Sequence, residues 1–307
     1  MAELGSTPLP AGHYSQIRLV LADNNATPNA NTVRPTGGAE IALGTPSAQQ
    51  SGLKLQAHFE VASGQTADLV LDFDACKSIV KAGNSGQYNL KPVIAVLPRV
   101  NTSIEGFVST TIANGSTTVS AQQNGVPVRA TTPDATGKFV LSLLPEGSYT
   151  VVVTADGRQT AVVTGVPVAL STGKTVVNGT ATSIAPAAAT MRDVTGSVTR
   201  VTSTPGGTTS APLTDATVRA LQTLTGGLGV ELSDRPVDAL DASHGFRLPA
   251  AAPIRASYSA TTPLSFAPDT AAAGKYSIAA QAPGPITQTQ TVDISSVNAT
   301  ATFTFGP

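Results

Sequence analysis

The sequence predicts an all-β protein: tandem antiparallel β-sandwiches, with one short helix in the first domain. Three observations predict it. Apolar residues alternate with polar ones over short runs, the period of a half-buried strand, as in Phe139, Leu141 and Leu143 or Tyr149, Val151 and Val153. Charged residues are only 12% of the chain, against about 25% in an average globular protein. That disfavours long salt-bridged helices, whereas Thr and Val suit pleated faces. Finally, 28 Gly and 22 Pro supply many turns. Hydrophobic residues at 41% allow cores. A length of 307 residues predicts two or three domains, placed by punctuation at 1–100, 103–184 and 192–307.

The first domain opens with a loop around Pro8 and Pro10. Residues 13–22 form a strand, with Ile17, Leu19 and Leu21 on one face and Gln16 and Arg18 on the other. Short strands follow at 31–33, 40–43, 53–55 and 58–61. The stretch from 68 to 97 reads as strand, cap, helix, turn and strand. Leu69, Leu71 and Phe73 alternate. Asp74 is placed as an N-cap, its carboxylate accepting from free amides of the next turn. Residues 75–82 are predicted helical, with Gly83 leaving the helix in the left-handed conformation. Tyr88, Leu90, Ile94 and Val96 are predicted to run back as one strand.

The runs PAGHYSQIRLVLADN, TPSAQQSGLKL and LVLDFDACKSIVKAGNSGQYNLKPVIAV occur here in that order. On them, the first hundred residues closely resemble a family of bacterial cell-surface lipoproteins defined by a domain of unknown function, the DUF4382 type. The resemblance implies an extracytoplasmic β-sandwich with no established activity. It also implies further strands upstream of Met1, so Met1 is expected not to be the start of the domain. An open edge at 13–22 or 69–73 would then be an aggregation hazard or a docking groove. Cys76 is the only cysteine. Related domains often carry another in their upstream strands, so one reading is a disulfide to that part; the other is a buried free thiol.

In the second domain, G-K-F-V-L (137–141), then P-E-G-S-Y (145–149), then alternating valines resemble the carboxypeptidase regulatory-like domain, a small prealbumin-type sandwich. In peptidases that module is an accessory without a catalytic group. The Phe139 and Tyr149 strands are expected to pair antiparallel, with Phe139, Leu141, Tyr149 and Val151 buried. Residues 184–190 (IAPAAAT) read as a linker, and successive sandwiches as a spaced, extended array. In the third domain, D-V-T-G-S-V at 193–198, V-R-A at 218–220, F-R-L-P at 246–249 and G-K-Y-S-I at 274–278 echo the second. It is expected to be a diverged copy with a longer insertion.

Net charge is −1 without a Lys/Arg cluster, so the electrostatic footprint of a nucleic-acid partner is absent. No apolar run reaches the ~20 residues that span a bilayer. Met1-Ala-Glu-Leu-Gly lacks the basic start and apolar stretch of a secretory signal. Membrane attachment is expected only through a lipid anchor that this chain lacks. Asp68, Asp72 and Asp74 form the one acidic group that suggests a cation; the competing reading is a helix cap beside exposed strand residues. His13, His58 and His244 lack ligand spacing for zinc. No G-x-S-x-G elbow or phosphate loop occurs, and Gly226, Gly227 and Gly229 read as a hairpin. No cofactor is expected. Sugar binding needs exposed aromatic faces, yet Trp is absent and aromatics are 4%. Tyr14, Tyr88, Tyr149 and Tyr276 lie in strand patterns, which leaves Tyr258 as the candidate platform. Two functions fit: a non-catalytic extracytoplasmic interaction or adhesive protein with a protein or glycan partner, or a carbohydrate-binding accessory module.

Overall fold

The computed structural model describes residues 4–24, 29–35, 37–45, 52–64, 67–98, 102–205, 207–284 and 286–306. The chain divides into two compact units, Met1–Arg99 and Val100–Pro307. Both are built almost wholly of strands, most of them paired antiparallel. No helix among the described residues is long and apolar enough to cross a membrane. The motif TPSAQQSGLKL falls largely on 46–51, outside the described residues.

The smaller unit carries β1 (Gly12–Leu19), β2 (Thr32–Val33), β3 (Ile41–Gly44), β4 (Leu53–Val61), β5 (Leu69–Phe73), α1 (Ala75–Ser78), β6 (Ile79–Lys81), β7 (Tyr88–Leu90) and β8 (Ile94–Pro98). β1 pairs β4, β5 pairs β8, and a third sheet has the order β2-β3-β7-β6. Leu53 and Leu55 are buried, with Ile17, Leu19, Leu71 and Val96 half-buried against them. Each alternates as its strand requires.

Several expectations fail here: the strand expected over 13–22 ends at Leu19, and those expected at 53–55 and 58–61 are one strand, β4. The helix stops at Ser78, one turn long. Ile79 and Val80 are β-branched and stiff at χ1, and they pair with Leu90 and Asn89 instead. The strand expected over 88–96 is broken. Pro92 cannot donate to a ladder, so Tyr88–Leu90 serves one sheet and Ile94–Pro98 another. The cap is as expected: Asp74 Oδ1 accepts from the Lys77 amide at 3.1 Å. Asp74→Ala should lower the unit's stability by ~0.5–2 kcal/mol, read by denaturant titration. Calcium or chelator should not change that loss; a loss seen only with Ca²⁺ present would restore the cation reading.

The larger unit holds two sandwiches with one strand order. The first contains β9 (Ser103–Phe107), β10 (Thr118–Gln123), β11 (Val126–Thr131), β12 (Lys138–Ser142), β13 (Gly147–Thr154), β14 (Ala161–Val168) and β15 (Lys174–Val176). Its sheets run β12-β9-β15 and β11-β10-β13-β14. The second contains β16 (Met191–Thr204), β17 (Gly207–Pro212), β18 (Thr217–Leu224), β19 (Leu228–Pro236), β20 (Ser243–Pro249), β21 (Ile254–Ser257), β22 (Ala267–Pro268), β23 (Lys275–Gln281), β24 (Thr287–Asp293), β25 (Ala299–Thr300) and β26 (Phe303–Phe305). There β20-β16-β25/β26 faces β19-β18-β23-β24.

Phe139, Leu141, Tyr149 and Val151 are buried together, but the Phe139 and Tyr149 strands do not pair. β12 pairs with β9, and β13 with β10 and β14. The connection crosses between sheets through Leu143, held at φ +59°, whose carbonyl accepts from Arg129 at 3.0 Å. Each sandwich also anchors a buried tyrosine to a proline carbonyl: Tyr149 Oη donates to Pro145 at 2.8 Å and Tyr276 Oη to Pro249 at 2.6 Å.

The spacer expected at 184–190 is not one. The Ser109 amide donates to the Ile184 carbonyl, Gln159 to Ala187 and Ala189 to Gly157, so this stretch is fastened onto the first sandwich. The two sandwiches then share a sheet: β21, from the insertion, pairs in parallel with β14. Val152 and Val162, on the outer face of that sheet, pack with Leu224, Val230 and Ala272. Gln122 bridges the same junction. Its amide oxygen accepts from the Glu231 amide at 2.9 Å, and its Nε2 donates to the Glu231 carbonyl at 2.6 Å. The side chain substitutes for one rung of a backbone ladder. Asp269 accepts from the Thr225 amide and hydroxyl and faces Arg255 at 3.6 Å. Burial pushes its carboxyl up, but the Thr225 bonds and the Arg255 charge hold it below the usual carboxylate range.

Candidate functional site

A cleft of about 530 Å³ opens between the two sandwiches of the larger unit. One wall is the ladder of β16 with β20. Its cross-strand pairs Met191–Pro249, Asp193–Arg247 and Thr195–Gly245 all lie on the cleft side. The intervening residues Val194, Phe246 and Leu248 are buried in the core by strand alternation, and Phe246 and Leu248 also border the floor of the cleft. The other wall is the turn from β13 to β14, with Thr154, Asp156 and Arg158, and the β19 residues Leu232, Ser233 and Arg235 close one side.

One charge pair is tied across the walls. Arg247 Nε donates to Asp156 Oδ1 at 3.0 Å, which joins the second sandwich to the first. Arg235 lies over the Phe246 ring, 4.8 Å from its centroid, an arrangement that favours a guanidinium. It also donates to the Gly245 carbonyl at 2.8 Å, on the outer edge of β20. Arg158 and Asp193 differ. Neither side chain makes a hydrogen bond or ion pair among the described residues. Thr154 and Thr195 line the same space.

The residues singled out in the sequence lie elsewhere. Asp68 and Asp72 are exposed at and beside β5, and Asp74 caps α1. Among the described residues no group of three His, Cys, Asp or Glu is arranged to hold a metal. Cys76 is exposed and free rather than buried. Tyr258, expected to be exposed, is half-buried against the first sandwich core and donates its amide to Thr164 at 2.8 Å. The reason is β21, which draws the insertion onto β14. Residues 225–227 form the turn of the β18–β19 hairpin.

The histidines separate into two environments. His13 and His58, on neighbouring strands, stack at 5.8 Å on the surface. His244 is buried between Phe246 and Phe303. Its Nε2 donates to the Ala301 carbonyl at 2.9 Å, and its Nδ1 has no partner. Burial holds its pKa below 6.5; the Ala301 bond works against that, and the Arg235 charge adds to it. The unfolded chain therefore takes up the proton more readily than the folded one. The stability this neutral imidazole contributes is complete above pH 6.5 and is lost as pH falls through the depressed folded value. The melting temperature should decline on the acid side of pH 6.5, and His244→Leu should flatten that decline in scanning calorimetry. An unchanged acid limb would contradict the assignment.

Residues 1–92 match the family model of the domain of unknown function DUF4382. Residues 103–182 match the carboxypeptidase regulatory-like domain. The cleft thus forms where the region that matches the carboxypeptidase regulatory-like model meets the sandwich that follows it. No curated protein matches the chain. An N-terminal interface mutant of the type II cohesin–X-dockerin complex from Acetivibrio cellulolyticus is 22% identical, with a TM-score of 0.24. That alignment covers 29% of this chain and 58% of the other, so the chain spans little over half of it. A leucine-rich repeat protein from Bacteroides thetaiotaomicron is 12% identical, with a TM-score of 0.22 over 67% of this chain and 26% of that one.

Proposed function

We propose that this chain is a non-catalytic, extracytoplasmic β-sandwich protein that binds its partner through the cleft of the larger unit. One observation carries the reading. The β14–β21 ladder, the apolar face of Val152 and Val162 and the Gln122 bridge hold the two walls to each other, with the Arg247–Asp156 pair at the surface, so the cleft is a fixed, polar receptor. Binding surfaces gain from such preorganisation, because less freedom is lost on association. The two matched domain families support an extracytoplasmic setting, as does the low charge content. Attachment through a lipid anchor would follow the lipoprotein resemblance of the first domain.

Two measurements test this. Incubation with peptide, ester and glycan substrates should give no turnover; reproducible turnover abolished by one substitution would overturn the non-catalytic part. Fractionation of the source cells should place the chain outside the cytoplasm, and a purely cytoplasmic pool would overturn the rest. A second reading, carbohydrate recognition, is favoured by Thr154 and Thr195 in the cleft rather than by Tyr258.

A further inference from the structure

We infer that the cleft binds a carboxylate-bearing sugar, a hexuronic acid within an oligosaccharide; this rests on the cleft being the binding site. Arg158 and Asp193 are both uncommitted among the described residues, line one cleft and do not pair with each other. A guanidinium is a planar fork that matches a carboxylate in two parallel bonds. An ionised Asp accepts only, so it needs O–H or N–H donors. A ligand meeting both must carry an anion at one end and donors at the other. A uronic acid does so, with its carboxylate toward Arg158 and its ring hydroxyls toward Asp193.

The remaining surface fits the same ligand. Thr154 and Thr195 carry hydroxyls that donate and accept, as sugar hydroxyls require. Met191, Leu232 and Pro249 give an apolar strip for the C–H face of the ring. Opposite Thr195 is Gly245, where an added Cβ would meet only the Thr195 methyl, at 3.8 Å. That leaves space where a side chain would project. An acidic peptide fits less well. Peptides commonly add as a strand to a sheet edge, and on the β20 edge Arg235 already holds the Gly245 carbonyl.

Calorimetric titration of the full chain with trigalacturonate, its fully methyl-esterified form and hexaglutamate tests the assignment. Trigalacturonate should bind, more weakly as salt rises to about 0.5 M. The ester should bind at least about tenfold more weakly, given the strength of a charge-assisted pair. Arg158→Gln should give a similar loss and Asp193→Asn a smaller one, with Arg158→Lys between wild type and Arg158→Gln. Arg158 has no partner to lose, so Arg158→Gln should leave the melting temperature unchanged. Absence of trigalacturonate binding, equal binding of the ester, or tighter binding of hexaglutamate would each overturn the sugar assignment. None of these results touches the non-catalytic reading, which fails on turnover, or the extracytoplasmic one, which fails on a cytoplasmic location.

Discussion

Val162→Asp should destabilise the whole of residues 100–307 and not only the sandwich that contains it. Val162 is fully buried on the outer face of its sheet, among Val152, Leu224, Val230 and Ala272. The nearest cation is Arg255, its register partner on β21, and that guanidinium is already engaged by Asp269 and the Thr225 carbonyl, so a carboxylate there would have no cation of its own. An uncompensated buried charge costs roughly 3–5 kcal/mol. Because the face is shared, the loss falls on the junction that couples both sandwiches. With no Trp in the chain, far-UV circular dichroism in a urea titration is the suitable readout. One transition for residues 100–307, shifted as a whole, is the expected result. Two transitions of which only one moves, or a loss under about 1 kcal/mol, would show the junction to be weak.

Phe139→Ala should cost ~3–5 kcal/mol, the range for removing a buried aromatic ring and leaving a cavity. Phe139 is 1% exposed and packs where the two sheets of the first sandwich meet. Its ring also sets the local backbone: a Cβ at Gly106 would lie 2.6 Å from its Cζ, so only glycine fits that facing position. The lost ring cannot be replaced by collapse from a neighbour that has no side chain. The same titration should register this loss. A variant within about 1 kcal/mol of wild type would mean that the site closes over the cavity.

Local patterns in the sequence led to the correct face and failed on the partner. Alternation identified Phe139, Leu141, Tyr149 and Val151 as inward-facing, but it also placed Leu143 on that face, where the left-handed turn at Leu143 buries Leu144 instead. It could not say that β12 and β13 belong to opposite sheets, because period 2 is the same in either. The Asp74 cap was legible since its acceptor and donor are three residues apart. The helix after it was overextended, because a short apolar run fits helix and strand alike, and here pairing with Leu90 and Asn89 decided it. Gln122 and Glu231 are 109 residues apart, and nothing local marks that pairing. The site was missed for a related reason. Asp193, Thr195, Gly245 and Arg247 are outward positions on two strands, ordinary until the strands are known to be neighbours. Tyr258 was chosen on the supposition that an insertion is solvent-facing, and β14 took that insertion instead.

The strand lent by β21 has a consequence for biosynthesis. β14 ends at Val168 and its parallel neighbour begins at Ile254. While the chain is being made, the first sandwich has all its own strands but one bare edge and a valine face with nothing on it. At about 5–20 residues per second, that condition lasts on the order of ten seconds. Unpaired edges beside apolar surface are what neighbouring nascent chains capture. The first sandwich is thus exposed to trapping during that interval, and the exposure ends only when the insertion of the second arrives. Lowering the translation rate over residues 170–260 should raise the insoluble fraction without altering any property of the finished protein.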